Sequence, residues 1–165
     1  MTLDPSLYAS LTYLAGFGDV NALGPASLAI LVALFAIGRF RLGLIWGAAF
    51  GACVLATFGL KAWLGGFQVS IFSLHLIADE FPSGHTSTAT AFYGALAFAI
   101  WRSSGAGWSG HLAKGLAVVV TGFAVAIIVA VRLLEWHHAL DIGVGLLLGG
   151  ACAMTVDRAL RQRHI

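Results

Sequence analysis

The chain has 165 residues, 59% of them hydrophobic and 10% charged, with a formal net charge of +2 and a mean hydropathy of +0.92. Soluble domains carry about 25% charged residues, so the composition excludes an ordinary water-soluble domain and implies an integral membrane protein. The small net charge argues against a nucleic-acid partner.

In chain order, the N-terminal stretch 5–17 lies in a leucine pattern, Leu3, Leu7, Leu11 and Leu14, at helical spacing. Asp4 and Asp19 bracket it too closely for a comfortable span. A short interfacial helix within residues 1–20 is expected. With no basic start and no small-residue cleavage site, the segment reads as part of the mature protein. Residues 22–38, 42–60 and 116–131 are uncharged runs of near-membrane length, each a predicted span. Residues 86–100 open on Thr86, Ser87, Thr88 and Thr90 and turn apolar through Trp101, and 142–156 is charge-free and ends in basic residues. The glycine- and serine-rich stretch 103–110 reads as a turn. The sequence thus predicts an all-α, polytopic transmembrane helix bundle in one domain over 1–165, with about five spanning helices, or six if the N-terminal segment also crosses. Cys53 and Cys152 both fall inside predicted spans, which argues against a structural disulfide and gives no metal-site spacing.

Lysine and arginine accumulate in cytoplasmic loops. Arg39 and Arg41 join the first two predicted spans, Arg102 and Lys114 the third and fourth, and Arg158, Arg161 and Arg163 form the tail, all on one side. The other side holds only Lys61 and Arg132. These two defy the topology signal in the same two segments that carry histidine motifs.

The first motif, Pro82-Ser83-Gly84-His85, follows a segment from 61 to 81 that contains Gly65, Gly66, His75, Asp79 and Glu80. It predicts a helix start at about Ser83. There, unpaired N–H groups and the positive end of the helix dipole make an anion site, and glycine admits a ligand close to the backbone. An N-capping turn with a passing histidine would leave the same tetrapeptide. The second motif is His137-His138-Ala139-Leu140-Asp141. On a helix, His137 and Asp141 share a face and form the bond that fixes an imidazole tautomer; His138 is the other candidate partner. An interfacial histidine pair beside a capping aspartate fits this pentapeptide equally well, and Lys61 and Arg132 would each be accounted for by snorkelling to headgroups. Taken together, two cations, an anion-binding helix start, two histidines and a carboxylate at one mouth form a phosphoryl-transfer inventory.

With these residues in place, the stretch from Lys61 to Gly150 resembles the type 2 phosphatidic acid phosphatase superfamily, which includes lipid phosphatases, glucose-6-phosphatase and vanadium haloperoxidases. Its signature runs Lys-x6-Arg-Pro, then Pro-Ser-Gly-His, then Ser-Arg-x5-His-x3-Asp, and Phe81 to Thr86 match the centre. The chain departs at three points. Gln68-Val69 stand where Arg-Pro is expected, Val131 replaces the serine, and the interval from Arg132 to His137 is one residue short, so that the full count reaches His138. Preserving the histidine–aspartate interval favours His137, since a lost loop residue is absorbed more readily than a rotation of about 100° between helical partners.

The resemblance implies that His137 attacks phosphorus and becomes a phosphohistidine, that Asp141 orients it, and that His85 protonates the leaving oxygen and later activates water. Lys61, Arg132 and the amides of Ser83 and Gly84 would hold the nonbridging oxygens, with Gln68 a neutral replacement for one cation. No metal and no cofactor are implied, because fixed cations supply the charge stabilisation. The expected function is a bacterial inner-membrane lipid phosphatase acting on a monophosphate or diphosphate, with its site facing the periplasm or exterior and its C-terminus cytoplasmic. A membrane lipid is the expected partner, with no nucleic acid and no obligatory protein partner. The alternatives are a silent lipid-phosphate-binding relative and a small transporter.

Overall fold

The computed structural model describes residues 3–67, 81–105 and 107–162. Gln68, His75, Asp79 and Glu80 lie outside the described residues. Six helices form, α1 (Pro5–Gly16), α2 (Val20–Ala36), α3 (Phe40–Phe67), α4 (Gly84–Ser103), α5 (Trp108–Leu133) and α6 (Ala139–Arg161), with no strand among the described residues. Local chemistry explains the starts. Asp4 accepts from the amides of Ser6 and Leu7 with Pro5 in the first turn of α1, Asp19 accepts from Asn21 N–H at 2.7 Å to begin α2, and Ser83 accepts from Thr86 N–H at 3.3 Å to begin α4.

Among the described residues, four segments are long and apolar enough to cross a membrane: Pro5–Ala36, Phe40–Leu64, Trp108–Leu133 and Ala139–Arg161. The protein is an all-α polytopic membrane bundle. Helix α4, predicted to span at 86–100, is not one of the four. It packs chiefly on α6 and α5, and its polar residues face inward. Thr86, Ser87 and Thr88 are fully buried, Ser87 donates to the Gly84 carbonyl at 3.0 Å, and Thr57 Oγ1 donates to Ser87 Oγ at 3.0 Å. A helix wrapped by its neighbours meets little lipid, so hydroxyls that bond internally substitute for apolar surface.

The α4–α6 seam is close because α6 presents small residues at four-residue spacing. A Cβ on Gly145 would stand 2.9 Å from the Ser83 carbonyl oxygen, and one on Gly149 would overlap that of Ser87 and stand 2.6 Å from Thr90 Cβ. Across from them Gly94 faces Ala153. Such small-residue crossings let backbones approach where lipid offers no hydrophobic drive. Cys53 and Cys152 are free thiols in the main core, with Trp46, Phe50, Phe92 and Val156.

The N-terminal segment, expected as an interfacial helix, packs into the bundle. Helix α1 packs on α5, and its Ala15 joins Val131 and Leu134 in a second small core, flanked by Leu11 and Trp136. At the α1–α2 elbow, Thr88 Oγ1 donates to the Gly18 carbonyl and Tyr93 OH donates to that of Phe17 at 3.1 Å. The elbow is therefore fastened to α4.

Candidate active site

The connectivity brings the end of α3, the start of α4, the end of α5, the start of α6 and the α1–α2 elbow to one end of the bundle. Asp141 is the centre of this end. It is 1% exposed and sits in the first turn of α6, where its Oδ2 accepts from His138 N–H at 2.7 Å. The same Oδ2 lies 3.8 Å from His137 Nδ1. Its backbone carbonyl accepts from Ser83 N–H at 3.1 Å. One residue thus caps its own helix, faces one histidine and anchors the turn that carries the other.

His137 precedes α6 rather than lying on it, so the helical reasoning behind the histidine–aspartate pair does not apply, yet the two side chains still approach, at an Nδ1–Oδ2 distance of 3.8 Å that is longer than a hydrogen bond. The reason is the tight connection from Leu134 to His138, in which Glu135 adopts a left-handed φ of 58°. The shortened Arg132–His137 interval falls in this turn. His137 is 7% exposed, and its ring centroid stands 6.5 Å from that of His85. His138 is exposed and meets Asp141 through its backbone N–H. Of the two candidate histidines, the structure places His137 between Asp141 and His85.

His85 occupies the first turn of α4, ahead of the predicted 86–100 span, with its ring 5.6 Å from that of Trp136. Burial pushes its imidazole below the ordinary histidine value, the nearby Asp19 carboxylate works the other way, and the positive charge of Lys61 adds to the fall. Lys61, half-buried on α3, is thereby placed within electrostatic reach of His85. Arg132, in the last turn of α5, is exposed; its carbonyl accepts from Glu135 N–H at 3.1 Å, and its side chain makes no hydrogen bond or ion pair among the described residues.

Ser83 departs from the expectation that its amide serves a phosphate. That N–H is taken by the Asp141 carbonyl and its hydroxyl by Thr86 N–H, and the residue is fully buried. Ser83 joins the two motifs, and the first-turn amides that remain for an anion are those of Gly84 and His85. Among the described residues, no three of His, Cys, Asp and Glu gather in a way that would hold a metal ion.

Sequence reasoning missed Asp19. Its Oδ2 stands 3.5 Å from His85 Nε2, while its Oδ1 takes both the backbone and side-chain N–H of Asn21, at 2.7 and 2.8 Å. The only sequence signal was a lone carboxylate beside apolar segments, and it reads as a span boundary.

Fold and site define a class: a helical membrane protein with histidine–carboxylate pairs gathered at one end of the bundle. Residues 61–164 match the family described as the PAP2 superfamily, and the chain belongs to that superfamily. It is a phosphatase of the PAP2 type, a phosphoric ester hydrolase. No curated protein and no solved structure matches the chain.

Proposed function

We propose that the protein dephosphorylates a membrane lipid through a phosphohistidine on His137. The observation that carries this reading is the placement of His137, with Asp141 against its Nδ1 and the His85 ring facing it. Asp141 favours the tautomer with the proton on Nδ1, which leaves Nε2 as the nucleophile. Nε2 attacks phosphorus, the ester P–O bond breaks, and the leaving oxygen takes a proton from His85. Water then gives its proton to His85 as its oxygen displaces His137 from phosphorus. Lys61, Arg132 and the first-turn amides of α4 balance the charge on the nonbridging oxygens. Gln68 replaces one cation of the superfamily pattern and bears on the choice between monophosphate and diphosphate.

A lipid substrate is supported by the surface beneath the site. A groove of about 460 Å³ runs between α3 and α6, lined by Ala49, Ala52, Ala56, Leu148 and Ala151. Ala56 lies about 7.5 Å along α3 from Lys61, at 1.5 Å per residue. An acyl or prenyl chain in this groove would leave its phosphate beside the histidines. Phosphatidic acid, phosphatidylglycerophosphate, a polyprenyl phosphate or diphosphate, and lipid A all fit this description. The distribution of basic residues supports an inner-membrane location with the site facing the periplasm or exterior and the C-terminus in the cytoplasm.

Phosphate release from that panel by the detergent-purified protein, with chelator in excess, tests the reading. We expect turnover that survives chelation. Release from none of the lipids, or turnover abolished by chelator, overturns it. A reporter fused within 61–81 is expected to be active on the exterior, and cytoplasmic signal would reverse the orientation.

A further inference from the structure

The acid–base histidine of the proposed reaction has a carboxylate beside it that comes from outside the stretch matching the superfamily, which begins at residue 61. Asp19 is held beside His85 by the packing of the α1–α2 elbow. Gly18 is packed so closely that a Cβ there would stand 2.7 Å from Ile127 Cγ2 and 3.1 Å from the His85 carbonyl oxygen. Thr88 holds the carbonyl of Gly18, and Tyr93 holds that of Phe17. Asn21 fixes Asp19 Oδ1, which leaves Oδ2 directed at His85 Nε2, 3.5 Å away.

We propose that Asp19 is a positioning residue for His85: its carboxylate holds the Nε2 side of the ring and leaves Nδ1 to exchange the proton with the substrate oxygen. The proposal rests on the reading of His85 as the acid–base group. The bundle end then contains two histidine–carboxylate pairs facing each other, His137 with Asp141 and His85 with Asp19. The first prepares a nucleophile and the second a proton donor. The remaining ionisable groups facing His85 among the described residues are Lys61 from α3 and His137, backed by Asp141, from the α5–α6 turn. Lys61 disfavours the imidazolium, as burial does, so Asp19 is the group that favours the protonated, donating form. A catalytic acid must be protonated to act, so loss of the Asp19 charge moves the alkaline limb of kcat/KM to lower pH.

Asp19→Asn is the informative variant. Asparagine caps a helix as well as aspartate does, so α2 and its elbow are retained while the charge is removed. The full chain, labelled with ¹⁵N-histidine in detergent micelles, is titrated by NMR beside the wild type, with His85→Gln used to assign the resonance. The expected results are a lower His85 midpoint and loss of the Nε2–H tautomer. In the phosphate-release assay, the alkaline limb should move to lower pH, kcat near neutral pH should fall about tenfold and KM should change little. Asp19→Glu, which keeps the charge, should recover part of the rate. An unchanged His85 titration in Asp19→Asn overturns the pairing, and a shifted titration with an unchanged pH–rate profile overturns its role in the chemistry. If the wild type releases phosphate from no lipid, the phosphatase reading fails instead, and the titration still decides whether Asp19 and His85 are paired.

Discussion

Helix α6 buries an aspartate near each end, and the two are treated in opposite ways. Asp157, 5% exposed, is saturated by cations: Arg102 Nε reaches its Oδ1 at 2.8 Å, and Arg161 Nε and Nη2 both reach its Oδ2 at 2.8 Å. Asp141, even more deeply buried, faces a histidine at 3.8 Å and a backbone N–H at 2.7 Å, and its Oδ1 accepts no hydrogen bond from the described residues. A carboxylate clamped by two guanidiniums has its charge fully answered and ties α4 to α6. A carboxylate with reserve capacity stabilises charge that appears only when the imidazole beside it becomes cationic. The difference separates an end that holds the bundle together from the end where the proposed chemistry would take place.

The strongest way to break the comparison is His137→Ala. Loss of the nucleophile should reduce phosphate release by about 10³-fold or more with the thermal midpoint in detergent unchanged, whereas His138→Ala should stay within about threefold; the reverse order would move the nucleophile to His138. Next comes Asp141→Asn, which still accepts the His138 N–H but cannot balance an imidazolium. We expect turnover to fall by about 10²-fold or more, read as single-turnover formation of the phosphoenzyme. Gly149→Ala probes the seam that joins the two ends. Its new Cβ meets the Ser87 carbonyl, Thr90 Cβ at 2.6 Å and the Ala91 nitrogen at 2.9 Å, none of which can swing aside. A loss of about 1–3 kcal/mol in folding stability is therefore expected, measured by denaturant titration in mixed micelles. The smallest effect is Asp157→Asn, at about 1–2 kcal/mol of stability, because its arginine partners are partly solvated and keep access to water. Its kcat should remain near that of the wild type, and a large loss of kcat there would erase the distinction between the ends.

Much of this was legible in the chain. Apolar runs marked the helices, and Lys61 and Arg132 stood apart from the other basic residues in the two segments that carry the histidine motifs. The ordered motifs singled out His85, His137, Asp141 and Lys61, all of which the fold collects. Two features were not legible, for physical reasons. The first was the inward face of α4: the helix itself is expected, but hydropathy along one helix does not register that Thr86, Ser87 and Thr88 serve the interior of the bundle. The second was the pair of contacts made across long sequence distances, Asp19 with His85 and Ser83 with Asp141. Neither pair has a periodicity to announce it, since each depends on how the elbow and the α4–α6 seam dock. The sequence reads Asp141 as either a cap or a histidine partner; its Oδ2 accepts the capping N–H at 2.7 Å and is also the oxygen facing His137 Nδ1, at 3.8 Å.

The bond from Ser83 N–H to the Asp141 carbonyl has a consequence for how the protein would fail. It makes the alignment of the two motifs a question of register between α4 and α6, and the missing side chains of Gly145 and Gly149 make room for the close approach in that register. A slip of one turn would carry His85 about 5.4 Å away from His137 while leaving each helix intact. Harsh detergent or mild heating should therefore silence the protein before circular dichroism records any lost helix, and the first casualty of ageing would be alignment rather than structure.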